Sequence, residues 1–293
     1  MNATPLPSWL DRKQFPFEPT LVRLPSGEHL SVTDVGSGRA LVFSHGTPTW
    51  SYEWRHLVRP LAESHRCIVP DHLGFGLSPR PVDGDYRPEA HARRFGELME
   101  QLQLPSAGLV LHDYGGPFAL DWALEHPERV ERLVLLNTFA WPFDRTPRER
   151  RLASFAGSGL FRWLYRNLNF SFFVARSAWG TASPSTKGGW QPYRVLFSDH
   201  DARERVLFAL ARGLAGSADY FASLERRLHR LAHVPVHLIW GMEDSAFPPH
   251  VLHRFQAALP RATTLELPRS GHFPHEEEPE ACLASLRTFL AAT

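Results

Sequence analysis

Apolar runs of strand length alternate with amphipathic segments along much of this chain. Two runs near the start, 21–24 and 29–35, flank the turn residues Ser26 and Gly27, and a third run follows at 40–44. Helical periodicity then alternates with further apolar runs, which predicts helices at 51–62, 88–102 and 117–125 and strands at 67–70, 108–111 and 130–136. This alternation indicates a mostly parallel sheet with helices on both faces.

The strand runs stop between residues 141 and 231. Helical segments rich in Arg, Phe and Trp occupy that stretch, which we interpret as a helical cap. The alternation resumes with predicted strands at 234–240 and 263–267 and helices at 250–259 and 279–290, which completes eight strands. We therefore predict an α/β core of residues 1–140 and 232–293 with an inserted cap of residues 141–231.

The composition is that of an ordinary globular protein. A net charge of +1 with 43% hydrophobic residues gives no bias toward nucleic acid or anionic membranes, so the expected partners are a small hydrophobic substrate and water. No apolar run reaches the roughly 18 residues of a membrane span, and residues 1–12 lack a signal-peptide core. We expect a cytoplasmic monomer or small homo-oligomer, with Cys67 and Cys282 as buried thiols.

The first candidate catalytic group lies in the segment 109–116, Leu-Val-Leu-His-Asp-Tyr-Gly-Gly. An apolar strand runs there into a tight turn that opens a helix, which is the context of a nucleophile elbow, and Asp113 is at its apex. A carboxylate needs no base to attack an electrophilic carbon, and attack at a saturated carbon forms an ester. The structural alternative for Asp113 is a turn residue that caps the next helix.

An ester on Asp113 is released only when a general base activates water. His272 follows one predicted strand, and two acidic residues, Glu243 and Asp244, follow the strand before it. The order of nucleophile, acid and histidine is that of a hydrolytic triad on this kind of α/β sheet. Both acidic residues follow the strand, so their position does not show whether Glu243 or Asp244 is the acid of the triad.

Hydrolysis of the ester also requires an oxyanion hole. The segment His-Gly-Thr-Pro at 45–48 ends the third predicted strand, where backbone donors are needed for the tetrahedral intermediate. The N–H groups of Thr47 and of Tyr114, the residue after the nucleophile, are expected to converge on a carboxylate oxygen of Asp113.

Several motifs extend these interpretations over nearly the whole chain. They are Pro-Ser-Trp-Leu-Asp-Arg at 7–12 with Pro-Phe at 16–17, His-Gly-Thr-Pro-Thr-Trp-Ser at 45–51, Asp-His-Leu-Gly-Phe-Gly-Leu-Ser at 71–78 and His-Asp-Tyr-Gly-Gly at 112–116. Together they resemble the haloalkane dehalogenases, a branch of the Asp-nucleophile α/β-hydrolases. The resemblance implies the α/β-hydrolase fold, a triad of Asp113, Asp244 and His272, no cofactor, and hydrolysis of a carbon–halogen bond to an alcohol and a halide.

The halide-binding positions depart from the pattern of that branch. Dehalogenases of this kind hold the halide with the indole N–H of a Trp directly after the nucleophile, together with an Asn or a second Trp. Here Tyr114 follows the nucleophile, and Thr47 occupies the position where Asn is often found. Hydroxyl groups also donate hydrogen bonds, though with a different reach. The candidate halide-binding residues are therefore Thr47, Tyr114 and, in the cap, Trp179.

Two other functions use the same residues. Epoxide hydrolysis needs the triad and an acid over the epoxide oxygen, a role that the family gives to cap tyrosines, and Tyr165, Tyr193 and Tyr220 lie in the predicted cap. A non-catalytic ligand sensor would keep the pocket without turnover, since a fold does not determine function.

The histidines and the acidic run near the end of the chain do not predict a metal site. The pairs His250/His253 and His272/His275 match no coherent set of metal ligands. The three glutamates at 276–278 are predicted to form a solvated face. We expect no metal.

Overall fold

The computed structural model describes residues 4–143, 151, 155–156, 158–181 and 190–292. Its strands are β1 Thr20–Arg23, β2 His29–Val35, β3 Ala40–Ser44, β4 Arg66–Pro70, β5 Ala107–Asp113, β6 Val130–Thr138, β7 Val236–Gly241 and β8 Thr263–Leu267. They form one eight-stranded sheet in the order β1-β2-β4-β3-β5-β6-β7-β8. Among the strands of the described residues, β2 alone is reversed. It pairs antiparallel with β1 and β4, and all other neighbouring strands are parallel. The predicted mostly parallel sheet is confirmed.

Strand β5 lies near the middle of the sheet, between β3 and β6. Every residue of β5 is buried, as expected for a parallel strand that is covered on both faces and has no polar side. Parallel strands end at the same edge of a sheet, and Ser44, Asp113, Thr138 and Gly241 end β3, β5, β6 and β7. Ligands bind outside this carboxyl edge in open α/β sheets, so the topology brings residues of distant segments together there.

Helices follow most of the strands. The first group is α1 Arg55–Leu61, α2 Pro88–Leu102 and α3 Gly115–Glu125, and the last is α10 Pro249–Ala258, α11 Pro274–Glu277 and α12 Pro279–Ala291. Between β6 and β7, the described part of the chain forms α4 Gly159–Leu168, α5 Phe170–Ser177, α6 Gln191–Leu196, α7 His200–Ala202, α8 Phe208–Gly216 and α9 Ala218–Arg227. Short 3₁₀ helices span Ser51–Trp54, Pro127–Arg129 and Leu228–Leu231, and a π-helical turn spans Arg203–Leu207. The domain boundaries at 141 and 231 stay a prediction.

The two cysteines are buried and unpaired, as predicted. Burial raises the pKa of Cys67 to about 12, so this thiol stays protonated and inert at neutral pH. Among the helices of the described residues, none has the length and apolar character to cross a membrane.

The prediction of a solvated face at 276–278 is wrong. Glu276 and Glu277 are only 4% and 3% exposed. The guanidinium of Arg55 pairs with the carboxylate of Glu276, and Glu277 accepts backbone N–H groups from Gly271 at 3.0 Å and Gly180 at 2.8 Å. These carboxyl groups lie inside because Arg55, Gly180 and Gly271 supply donors, two of them from distant segments, which a run of acidic letters does not reveal.

Candidate active site

The turn after β5 places Asp113 in an unusual backbone conformation. Its φ is +49°, a left-handed value that is uncommon for a residue with a side chain. The crowding around it explains the two glycines that follow: a Cβ on Gly115 would lie 2.2 Å from the carbonyl oxygen of Ser44, and one on Gly116 would lie 1.9 Å from Oγ1 of Thr138. That hydroxyl donates to the carbonyl oxygen of Asp113 at 2.6 Å. The sequence therefore forms a tight strand–turn–helix with a carboxylate at its apex.

The two carboxylate oxygens of Asp113 have different partners. The backbone N–H of Thr47 donates to Oδ1 at 2.8 Å, whereas Oδ2 lies 3.5 Å from Nε2 of His272. Burial raises the pKa of the Asp113 carboxyl, but the hydrogen bond and charge of His272 more than offset it, so the net shift is downward. Asp113 is therefore anionic at neutral pH, as a nucleophile must be.

A second carboxylate lies on the other side of the His272 ring. Nδ1 of His272 is 2.8 Å from Oδ2 of Asp244, and the backbone N–H of Ala246 donates to the other Asp244 oxygen at 2.7 Å. Glu243, the neighbouring candidate, instead accepts the N–H and hydroxyl of Thr181. The structure thus brings Asp113, His272 and Asp244 together and leaves Glu243 out.

Asn137 is a site residue that the sequence interpretation missed. Its Nδ2 donates to Oδ2 of Asp244 at 2.8 Å, and its Oδ1 accepts the N–H of Gly241 at 2.8 Å. The amide therefore orients the acid that faces His272. The only sequence signal is its place at the end of β6, beside the nucleophile strand, and a lone Asn at a strand end is too common to identify.

The charge of His272 follows from its two neighbours. Burial lowers the pKa of this imidazole, but the carboxylates of Asp244 and Asp113 oppose burial and raise the pKa to about 10. The histidine is consequently an imidazolium in the resting site, held between two anions.

The three residues predicted to bind halide differ in whether their side-chain donors already have hydrogen-bond partners. The Tyr114 hydroxyl donates to the carbonyl oxygen of Leu210 at 2.7 Å. Within the described residues, Oγ1 of Thr47 and Nε1 of Trp179 are shielded from solvent and have no hydrogen-bond partner. Thr47 also supplies its N–H to Asp113, so its unused hydroxyl belongs to a residue in direct contact with the Asp113 carboxylate.

Two of the three tyrosines proposed as epoxide acids are engaged elsewhere. The hydroxyl of Tyr193 bonds to the Glu276 carboxylate, and that of Tyr220 donates to the carbonyl oxygen of Pro117 at 2.6 Å. Tyr165 is buried, and burial raises the pKa of its hydroxyl.

The site geometry agrees with comparisons to known proteins. A sequence model for the alpha/beta hydrolase fold matches residues 39–279. The chain belongs to the α/β-hydrolase fold family. This hydrolase is 33% identical to haloalkane dehalogenase 2 of Mycobacterium tuberculosis, over 94% of this chain and 96% of the relative. It is 30% identical to a cis-3-alkyl-4-alkyloxetan-2-one decarboxylase of Xanthomonas campestris, over 94% of this chain and 97% of the relative.

Solved structures of similar proteins share this fold. A mutant of the haloalkane dehalogenase DatA from Agrobacterium tumefaciens C58 superposes with a TM-score of 0.78 at 26% identity, covering 93% of this chain and 96% of that one. A loop variant of the dehalogenase DbeA from Bradyrhizobium elkanii shares the fold, with a TM-score of 0.82 over 93% of this chain and 96% of that one. The predicted resemblance is confirmed: the hydrolase is an enzyme of the haloalkane dehalogenase-like kind.

Proposed function

We propose that this hydrolase cleaves a carbon–halogen bond through a covalent ester on Asp113, and that it releases an alcohol and a halide. The observation that carries the proposal is the environment of one carboxylate. Oδ1 of Asp113 accepts the N–H of Thr47, and Oδ2 faces the His272 imidazole at 3.5 Å. A buried anion with one oxygen fixed and the other next to a histidine is arranged for attack followed by ester hydrolysis.

In the first step, a carboxylate oxygen of Asp113 attacks the carbon that bears the halogen, and the halide leaves with the bonding electron pair. The leaving anion needs a donor, and the Tyr114 hydroxyl is already used by Leu210. We assign halide stabilisation to the free hydroxyl of Thr47 and to the free indole N–H of Trp179.

In the second step, water attacks the ester carbonyl and His272 accepts the proton of that water. Esterification removes the negative charge of Asp113, which is one of the two charges that raise the pKa of His272. The imidazole then loses its extra proton to solvent more readily and becomes a base, while Asp244 holds its orientation. The N–H groups of Thr47 and Tyr114 serve as the oxyanion hole.

Trapping the ester tests this mechanism. His272→Phe should still form the ester, since ester formation needs no base, but should not hydrolyse it. Intact-mass spectrometry after incubation with pooled chloro- and bromoalkanes should show an alkyl adduct, and peptide mapping should locate it on Asp113. The matched control is the double variant with Asp113→Asn, which should stay unmodified. An unmodified His272→Phe protein after exposure to the halogenated pool would refute dehalogenation.

The decarboxylase relative supports a second candidate substrate. It matches nearly the whole chain at 30% identity, and Tyr114 leaves this site without an indole directly after the nucleophile. An alkyl-substituted oxetan-2-one is therefore the second substrate to offer, with carbon dioxide release as the readout in the unmodified protein. Epoxide hydrolysis and a sensor function have less support, because the hydroxyls of Tyr193 and Tyr220 are engaged and the named relatives are enzymes.

The remaining predictions concern organisation. We retain residues 141–231 as a cap over the site, which the contacts from Leu210 to Tyr114 and from Tyr220 to Pro117 support. A small hydrophobic substrate suits such a covered site. A cytoplasmic location and a monomer or small homo-oligomer stay predictions of the sequence.

A further inference from the structure

A second cluster of ionisable side chains lies beside the nucleophile turn. It consists of Glu53 in the 3₁₀ helix after β3, His112 directly before Asp113, and His275 in α11. One ligand-type atom of each residue lies within 4.8 Å of the others, and all three side chains are fully buried. The proposed reaction steps use none of them.

Three polar atoms of this cluster have no hydrogen-bond partner among the described residues. They are Oε2 of Glu53 and both ring nitrogens of His275. Buried polar atoms are normally paired, and an unpaired group in a native protein is commonly explained by a bound water or ion. The ring of His275 stacks on Trp54 with centroids 4.6 Å apart, so its plane is held by packing while its nitrogens remain available.

The hydrogen bonds of His112 leave one nitrogen available as well. Its Nε2 lies 2.9 Å from the backbone carbonyl oxygen of His272, and a carbonyl only accepts, so Nε2 carries the proton and donates. In the neutral ring, Nδ1 then has a free lone pair, which faces Oε1 of Glu53 at 3.2 Å. Histidines that bind metals commonly donate their other N–H to a backbone carbonyl or carboxylate in this way.

We propose that Glu53, His112 and His275 bind one divalent transition-metal ion, with Zn²⁺ as the best match. Two imidazoles and a carboxylate suit Zn²⁺ and its first-row neighbours better than Mg²⁺ or Ca²⁺, which prefer oxygen ligands. Tetrahedral ligation at about 2.0–2.1 Å separates ligand atoms by about 3.4 Å. Oε1 of Glu53 is 3.2 Å from Nδ1 of His112 and 3.8 Å from Nε2 of His275, so small side-chain rotations complete the site.

A hydrogen bond between Glu53 and His112 explains fewer of the unpaired atoms than a metal ion does. A pair of Glu53 and His112, with a proton between them, leaves both nitrogens of His275 without a partner. A central cation instead contacts all three side chains at once and offsets the charge of the carboxylate. The ligands come from three distant segments, which is why neither His250/His253 nor His272/His275 spacing identified this site.

Metal analysis of the purified protein tests the proposal without any activity measurement. Because the site is buried, the metals are supplied during expression, as an equimolar mixture of Zn²⁺, Co²⁺, Ni²⁺, Mn²⁺ and Fe²⁺, and any affinity tag is removed before analysis. After dialysis, mass spectrometry of the elements should give about one metal ion per chain, with Zn²⁺ or Co²⁺ most abundant. Protein loaded with Co²⁺ should show the visible absorption of a tetrahedral site.

Three variants show where the metal binds. His275→Gln and Glu53→Gln should each lower the metal content at least about tenfold. His91→Gln is the matched control, since His91 is another fully buried histidine with both nitrogens unpaired, and it lies outside the cluster. It should keep its metal.

The metal content of the unmodified protein tests the proposal even if a variant fails to fold. Less than about 0.1 metal ion per folded chain after expression with added metals would overturn the proposal. Equal metal content in folded His275→Gln and His91→Gln protein would overturn it too, because the metal would then bind elsewhere.

Discussion

Neutralising Asp244 should separate the two chemical steps of this enzyme. Asp244→Asn keeps the size of the side chain and removes its charge from Nδ1 of His272, which lies 2.8 Å from Oδ2. A hydrogen bond to a charged partner contributes about 1.5–3 kcal/mol, and about 1.4 kcal/mol is a tenfold change in rate. Ester hydrolysis should therefore slow by about 10- to 150-fold, whereas ester formation by Asp113 should keep its rate.

Rapid-quench mass spectrometry measures both steps with a bromoalkane that the enzyme accepts. Asp244→Asn should accumulate the alkyl-enzyme in the steady state and show a halide burst, followed by slow turnover. Glu243→Gln is the matched control, because the Glu243 carboxylate bonds to Thr181 on the exposed side of the same loop. Its turnover should change by no more than about twofold. Equal slowing in both variants, or slow ester formation in Asp244→Asn, would refute the assigned roles.

Three further predictions follow from the same contacts. Thr47→Val should slow carbon–halogen cleavage, measured by stopped-flow halide detection. Tyr114→Phe should leave that step unchanged and lower the free energy of unfolding in urea by about 0.5–1.5 kcal/mol, since it removes one buried hydrogen bond to a backbone carbonyl. Asn137→Leu should lower turnover about tenfold with an unchanged Michaelis constant, because Asp244 loses its orienting amide; a normal rate would make Asn137 purely structural. The pKa of His272 is raised to about 10 in the folded protein from about 6.5 in the unfolded chain, so its stabilisation is complete below about pH 6.5 and is lost as pH rises toward 10. The difference in unfolding free energy between the unmodified protein and His272→Phe should shrink over that range, and a constant difference would contradict the shift.

Local pattern was sufficient for most of the sheet and for the nucleophile turn. The predicted bounds of β2, β3, β8 and α2 match the structure, because each is a run of one periodicity between clear turn residues. The turn at Asp113 was also predictable from the sequence, since its strand, apex and glycines are contiguous and close contacts require glycine at positions 115 and 116. Other bounds moved by one or two residues, as strand and helix ends depend on neighbours.

Partners that come from distant segments needed the folded chain. Asp244 and Glu243 are adjacent in sequence; the family resemblance favours Asp244, and the approach of His272 shows which carboxylate faces the imidazole. Asn137 joins the site because β6 lies beside β5, and Tyr114 loses its free hydroxyl because Leu210 lies against it.

Burial was the hardest property to predict from the chain. The acidic run at 276–278 resembles a solvated surface, yet Arg55 from α1 and backbone N–H groups of two other loops satisfy its first two members. Glu53, His112 and His275 likewise form a cluster only where three segments meet. Sequence by itself determined the backbone framework and the position of Asp113 at the apex of its turn, because both follow from interactions between near neighbours. Tertiary structure decided which charged groups are buried and what each of them faces, since those contacts join residues of separate segments, such as Glu53 with His112 and His112 with His272.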